Sequence, residues 1–480
     1  MSEHEIILPG EPGNVVMRFA PNPNGPLTIG HARGVVVNNY LSRKYGGKFI
    51  LRFDDTDPKI KKPLLEAYDW IVEDCGWLGA KPDKVFAASE RIDLYYGYAE
   101  KLIKQGNAYV CSCSHEQFKP LKDAGKPCLH RSASVGENME LWEKMIAGEF
   151  GEKDAVLRIK TDLENPDPAL RDWVGFRIVK DEHPKVGGKY CVWPMLDFES
   201  AIEDRLQEIT HIIRGKDLMD SGRRQKYIYD YLGWEYPEVL LWGRISIHEY
   251  GKFSSSGMAK MVAAGEVSGW DDPKLPTIRA FRHRGILPES ITEFMLELGL
   301  STNDVGVSME TLYAINRKHL DDRANRHFFI EDPLELVVTG AVEKTVEKPL
   351  HPSHKERGSR TFHVKASECC SKIWIPKRDA DKLNVGDEFR LMNLYNVILE
   401  SVKPFVGKMN DVKNFKVPKI EWLSEKIPAQ ILKHDGPVQG ICEPDCAKIE
   451  VGEIIQFERY GFARLDEKQD GKLVFVYTHD

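Results

Sequence analysis

At 480 residues the chain exceeds what a single hydrophobic core holds, so roughly two to four domains are expected. Its apolar fraction of 42% and charged fraction of 29% are those of an ordinary globular protein, and no apolar run approaches the ~18 residues of a membrane span. A formal net charge of -7 excludes a globally basic nucleic-acid coat but not local basic patches; the first residues carry no secretory pattern, so a cytoplasmic location is expected.

Val15 to Ala20 reads as a short strand, followed by helical character over 32–45 that Gly46-Gly47 ends. Lys48–Phe53 is a second strand, closed by Asp54-Asp55-Thr56-Asp57-Pro58, with helices expected at roughly 63–76 and 89–105. That order favours a parallel sheet covered by helices. Between about 110 and 185 polar turns and a Cys/His cluster interrupt it. Alternation resumes with Tyr190–Met195 and the segment Ala201 to Gly215, then a helix over 223–232 and a strand over Glu238–Leu241. The simplest account is one nucleotide domain carrying an insertion. Residues 270–330 read as helices bearing Arg279, Arg282, His283 and Arg284; past 334, short strands with Gly, Pro and Asn turns predict barrels or a sandwich. Between 351 and 378 stand seven cations (Lys355, Arg357, Arg360, Lys365, Lys372, Lys377, Arg378) against Glu356 and Glu368, a pattern that fits a phosphate-binding patch or a solvated strand region equally.

Two segments carry chemistry. The first, Arg18-Phe-Ala-Pro-Asn-Pro-Asn-Gly-Pro-Leu-Thr-Ile-Gly-His-Ala-Arg-Gly34, is a strand, a turn locked by Pro21, Pro23, Gly25 and Pro26, and a helix opening at Gly30 and His31. A helix N-terminus offers unpaired N–H groups and partial positive charge to a phosphate; Gly30 leaves room for a purine, and His31 can donate to a phosphoryl oxygen. A capping histidine in a turn would use the same pair. The second, Gly251-Lys-Phe-Ser-Ser-Ser-Gly257, could place Lys252 on polyphosphate. Neither follows the P-loop or the dinucleotide fingerprint.

Together these segments resemble the class I aminoacyl-tRNA synthetases of the glutamyl/glutaminyl branch, most closely its archaeal glutamyl members. Thr28-Ile29-Gly30-His31 matches the HIGH motif with Thr first, and Lys252-Phe253-Ser254-Ser255-Ser256 falls on KMSKS with Ser255 at the second lysine. Leu51-Arg-Phe-Asp-Asp-Thr-Asp57 is a further signature, and Lys348-Pro-Leu-His-Pro352, Gly358-Ser-Arg360 and Ile373-Trp-Ile-Pro376 resemble the branch's barrels. The resemblance implies an α/β fold: a Rossmann-like catalytic domain (15–108 and 186–265) with an inserted acceptor-end module (109–185), a helical connector (266–333) and C-terminal antiparallel β-barrels (334–480) that bind the anticodon arm. It implies ATP-dependent ligation of L-glutamate to the 3′ end of tRNA-Glu through a glutamyl-adenylate, with Mg²⁺ on the polyphosphate. Charging of tRNA-Gln with glutamate stays open. A monomer is expected. Seventeen residues precede Arg18, fewer than the N-terminal extension of many archaeal members, so that part is expected to be absent or removed. The alternatives are a glutaminyl-tRNA synthetase, a queuosine-type glutamyl transferase without the barrels, and a non-catalytic tRNA-binding protein.

Residue by residue, the resemblance gives His31 and Lys252 catalytic roles, with Lys260 able to share the load of the missing second lysine. Thr28, Gly30, His31, Asp217, Lys252 and Ser254 would contact ATP. Arg18, Asp54, Leu196, Ser200 and Arg214 would contact the amino acid, Asp54 through its α-ammonium; a helix-cap role for Asp54 fits the pattern too. Arg214 stands where glutamyl members keep an arginine and glutaminyl members a small uncharged residue. A guanidinium there can pair with the γ-carboxylate of glutamate, although a solvent-exposed strand-end arginine would look the same. At Leu196 the family often has Tyr, so a hydrogen-bond donor is lost. In the barrels, Arg357, Arg360 and nearby lysines would neutralise phosphate. Finally, Cys111-x-Cys113 and Cys128-x-His130 supply three thiols and an imidazole suited to tetrahedral Zn²⁺, and some glutamyl members carry such a structural site in this insertion.

Overall fold

β1 (Val16–Phe19), β2 (Lys48–Phe53) and β3 (Lys84–Ala87) pair in parallel with β2 in the middle, Met17 opposite Phe49 and Leu51 opposite Val85. Helices α1 (Ile29–Lys44) and α2 (Leu65–Trp77) make the crossovers. Gly47 is required at the return into β2, because a Cβ there would stand 1.7 Å from the Val15 carbonyl oxygen. The computed structural model describes residues 6–8, 12–251 and 253–480. It divides into two units, the first reaching to Trp270 together with 277–279 and 291–309, the second holding the rest.

After α3 (Ile92–Lys104) the parallel layer is interrupted. β4 (Ala108–Cys111) opens an antiparallel sheet that α4 (His115–Asp123) and α5 (Val135–Ile146) separate from β5 (Val156–Ile159), β6 (Val174–Ile178) and β7 (Val192–Pro194). The stretch Tyr190–Met195 does not resume the parallel alternation: β7 pairs antiparallel with β6, Trp193 opposite Arg177. The reason is packing, since Tyr190 and Trp193 join Tyr96, Trp142 and Phe176 in one buried aromatic cluster.

α6 (Leu196–Leu206) then leads to β8 (His211–Gly215), α7 (Met219–Leu232) and β9 (Glu238–Trp242), with β8 and β9 parallel. β8 lies beside β1: the Thr210 N–H donates to the Val16 carbonyl at 3.0 Å, and the Val16 N–H to Thr210 Oγ1 at 3.0 Å. The strands therefore run β3-β2-β1-β8-β9, with apolar side chains on both faces. Val16, Ile50 and Ile212 pack on one side, and Met17, Val37, Leu41 and Ile213 on the other. The order reverses between β1 and β8, which is where an open parallel sheet leaves a crevice for ligands.

The second unit contains a seven-stranded and a six-stranded sheet. Antiparallel pairing dominates, with parallel pairs such as Ala429–Leu432 on Leu473–Val476. Period-two alternation lets one segment serve two cores: Phe328 and Ile330 enter one, Phe329 the other. Lys348 and Arg360 stand directly opposite each other on paired strands. Glu458 accepts from both, and Glu443 accepts from Arg360 at 2.8 Å and meets His327 Nδ1 at 2.8 Å. This corrects the expectation for Arg360, which is 1% exposed and neutralises protein carboxylates, not phosphate. The half-buried Arg357 guanidinium donates at the surface to the Asp322 and Arg323 carbonyls. Among the described residues no helix is long and apolar enough to cross a membrane.

Candidate active site

The Pro-locked turn fixes the mouth of the crevice by hydrogen bonding to the end of β2. The Asp54 N–H donates to the Pro21 carbonyl at 3.0 Å, Asn22 Nδ2 to the Asp54 carbonyl at 3.2 Å, and the Leu64 N–H to the Pro23 carbonyl at 2.9 Å. At the start of α1, Thr28 is the N-cap, its Oγ1 accepting from the His31 N–H at 3.4 Å. In return the Thr28 N–H donates to His31 Nδ1 at 3.2 Å. With Nδ1 an acceptor and burial lowering the imidazole pKa to about 4, the ring is neutral and carries its proton on Nε2. Gly34 lets α1 lie against the ring of Phe19, which a Cβ would approach to 2.8 Å. Beyond its chain neighbours and its own helix backbone, only Thr28 Oγ1 comes within 4 Å of a Cβ built on Gly30, so that face is open.

A cavity of about 310 Å³ lies at the carboxyl ends of β1, β2, β8 and β9. It is lined by Arg18, Gly30, His31, Asp54, Ser200 and Arg214 among others, with Leu196 also on its wall. Seven of the positions singled out in the sequence thus meet in one place, drawn from four separate segments. Thr28 caps the helix behind them. Asp217 does not line the cavity; it is exposed and pairs with Arg244 at 3.4 Å. Ser254 caps α8 (Ser255–Ala263), its Oγ accepting from the Gly257 N–H at 3.1 Å, and Lys260 is exposed on that helix. Lys252 lies outside the described residues.

The cavity floor is ionic. Arg18 grips Asp204 through Nε at 2.9 Å and Nη2 at 3.2 Å. Arg52, fully buried, donates to Asp204 at 2.7 Å, to Asp54 at 2.6 Å and to Ser200 Oγ at 2.9 Å. Burial alone would raise the Asp204 pKa, but the two guanidiniums outweigh it and hold the carboxylate at about 2. Beside them Glu199 is completely buried, and neither of its oxygens accepts a hydrogen bond, Oε1 standing 3.5 Å from Arg52 Nε. Burial, reinforced by the neighbouring Asp54, pushes its pKa far up, so Glu199 is the neutral acid of the pair.

Arg214 differs from the other two arginines. It is 7% exposed, and no carboxylate among the described residues pairs with it. Nη2 donates to the neutral Gln225 Oε1 at 3.0 Å, while Nε has no partner. Burial lowers its pKa from the ordinary arginine value, yet a guanidinium stays protonated at neutral pH. Arg18, Arg52 and Arg214 bring three positive charges and Asp54 and Asp204 two negative ones; the surplus of one sits on Arg214. Sequence reasoning missed Arg52, Glu199, Asp204 and Gln225. A signal existed: Arg52 interrupts the apolar run of β2, and α6 carries Asp197, Glu199, Glu203 and Asp204, all buried. Cations inside an apolar strand need anions somewhere.

A second cavity, about 370 Å³, shares Leu196 and Ser221 with the first and is lined by Lys122, Arg158, Arg224 and Trp173. Further out, the ligand atoms of Cys111, Cys113, Cys128 and His130 all lie within 4.8 Å of one another. Cys111 and Cys128 sulfurs are 3.9 Å apart, and Cys113 Sγ is 3.4 Å from His130 Nδ1. Four ligands around a Zn²⁺ with ~2.3 Å bonds to sulfur stand about 3.8 Å apart, so the cluster fits that ion. His130 Nε2 meets Ser112 Oγ at 2.9 Å, which orients Nδ1 toward the sulfurs.

A family model described as tRNA synthetases class I (E and Q), catalytic domain, matches residues 14–322. Two more, described as the anti-codon binding domain of that class, match 324–415 and 415–466. A glutamate--tRNA ligase of Methanococcoides burtonii is 52% identical, covering 97% of this chain and 82% of its own. Those of Methanocella arvoryzae, 52% identical over 99% and 83%, and Methanothrix thermoacetophila, 51% over 98% and 83%, are similar to the same extent. With the catalytic match alone running through more than half of its length, the chain belongs to the class I tRNA synthetases of the E and Q group.

Proposed function

We propose that this chain ligates L-glutamate to the 3′ end of tRNA-Glu through a glutamyl-adenylate, acting as a monomer in the cytoplasm. The observation that carries the choice of amino acid is Arg214, a buried cation on the cavity wall without a carboxylate of its own. Zwitterionic glutamate has a net charge of minus one and balances the surplus; glutamine is neutral and would leave it. Discrimination then comes from the cost of burying an unpaired guanidinium against an amide.

In this reading the γ-carboxylate meets Arg214 and the α-ammonium meets Asp54, which Arg52 holds in place. The α-carboxylate attacks the α-phosphorus of ATP and pyrophosphate leaves. Mg²⁺ accompanies the polyphosphate. His31, its proton fixed on Nε2, donates to a phosphoryl oxygen as charge builds there, and the N-terminus of α1 adds its dipole. Lys252 and Ser254 belong to the loop assigned to the leaving pyrophosphate, and Asp217 to the ribose. No protein nucleophile is needed.

The tRNA 3′ end would enter through the second cavity, where Lys122, Arg158 and Arg224 face phosphate and Trp173 a base. The inserted sheet serves the acceptor end and the sheets past 334 the anticodon arm. One structural Zn²⁺ on Cys111, Cys113, Cys128 and His130 would close the knuckle between β4 and α4. Metal analysis is expected to find one zinc per chain, and Cys128→Ser to lose it and raise the KM for tRNA several-fold while the KM for ATP stays. Zinc-free protein with the parental KM for tRNA would contradict this.

The function is tested by supplying ATP, purified tRNA-Glu and tRNA-Gln, and labelled glutamate or glutamine. Glutamate on tRNA-Glu is the expected product, and the tRNA-Gln arm decides the breadth of the substrate. Transfer of glutamine in place of glutamate would overturn the reading.

A further inference from the structure

The arginine assigned to the γ-carboxylate is held by an uncharged side chain. Arg214 Nη2 donates to Gln225 Oε1 at 3.0 Å, and the Tyr236 hydroxyl donates to the same oxygen at 2.6 Å. A guanidinium can only donate, so the amide must present its oxygen here, and both lone pairs of that oxygen are taken. Gln225 is 2% exposed, sits on α7 and lines the same cavity as Arg214. The other two guanidiniums of this cavity floor are held by carboxylates, Arg18 by Asp204 and Arg52 by Asp54 and Asp204. The third has an amide in the corresponding place.

We infer that Gln225 is a specificity-determining residue: a neutral acceptor that aims Arg214 into the cavity without cancelling its charge, so that only a carboxylate on the substrate completes the pair. The inference rests on the reading of Arg214 given above. Tyr236 holds the same amide oxygen, so the aim of the guanidinium is set before the amino acid arrives. A carboxylate of the same shape at this position would satisfy Arg214 internally. Glutamate would then meet a closed ion pair and a second negative group.

The test compares Gln225→Glu, Gln225→Met and Arg214→Cys as full chains in tRNA-Glu charging, reading the KM for glutamate, the KM for ATP and the urea midpoint. Gln225→Glu is expected to raise the KM for glutamate on the order of 30-fold, the weight of one charge-assisted bond, with the KM for ATP unchanged. Its ratio of kcat/KM for glutamate over glutamine should narrow with it. Gln225→Met adds no charge and should raise the KM less than about fivefold, since Arg214 stays uncompensated and only its aim loosens. This second variant keeps the comparison usable should the charged one unfold. A parental KM for glutamate in folded Gln225→Glu overturns the inference, as does a loss in Gln225→Met as large as 30-fold, which would mark a packing role. If Arg214→Cys raises the KM and Gln225→Glu does not, the inference alone falls. If Arg214→Cys keeps the parental KM, the reading of Arg214 falls with it.

Discussion

Arg214→Cys is expected to lower kcat/KM for glutamate by roughly 150-fold, about 3 kcal/mol, while the KM for ATP changes less than about threefold. The size follows from a buried, bidentate, charge-assisted contact with the substrate's side-chain carboxylate. The direction of the stability change is more diagnostic. Burial disfavours the charged form of Arg214, and with no carboxylate among the described residues paired to it, the more distant Asp204 and Asp197 do not offset that cost. Removing the charge therefore breaks no ion pair, and Gln225 keeps the Tyr236 hydroxyl. The urea midpoint should stay level or rise, the trade of stability for function expected of a site that waits for its counter-ion. A variant that lost activity only because it unfolded would contradict this, as would parental kinetics with glutamate.

Asp204→Asn should behave in the opposite way, costing about 2–4 kcal/mol of stability before any substrate is considered. The carboxylate accepts from Arg18 Nε, Arg18 Nη2 and Arg52 Nη1 at 2.9, 3.2 and 2.7 Å. An amide has one acceptor oxygen and no charge, so two guanidiniums lose their shared anion. The pH dependence has a definite sign. The Asp204 pKa falls from 3.8 unfolded to about 2 folded, since the arginines outweigh the burial that opposes them. The stabilisation, about 2 kcal/mol, is thus fully present above pH ~4 and is lost as pH falls through ~2. Comparing urea midpoints of parent and variant between pH 5 and pH 2 isolates it: the gap should shrink on acidification. A gap that stayed constant, or was below 1 kcal/mol at pH 7, would show that Asp204 does not carry this load.

The sequence was most legible where local chemistry and fold agree. Pro21, Pro23 and Pro26 announce a fixed turn, Gly46-Gly47 a tight return, and the apolar runs of β1 and β2 a buried parallel pair; each is found at those residues. It was least legible where a residue's meaning depends on a distant partner. Arg360 looked like one more cation of a basic stretch, yet Glu443 and Glu458, more than eighty positions away, bury it. Tyr190–Met195 looked like the return of a parallel strand, but the edge it joins belongs to β6. Nothing local in Glu-Ser-Ala-Ile-Glu-Asp204 says that Asp204 anchors two arginines while Glu199, five positions earlier, is held neutral beside Asp54. Periodicity reads one face of one element, and an ion-pair network is assembled from several.

The choice of glutamate over glutamine turns on where the Arg214 guanidinium points when the amino acid is bound. A crystal structure with a non-hydrolysable glutamyl-adenylate analogue measures this directly. Both guanidinium Nη atoms, or Nε and one Nη, are expected within about 3 Å of the γ-carboxylate oxygens, with Gln225 still in contact. A guanidinium turned away from the ligand, or a γ-carboxylate bound by some other cation, would contradict it.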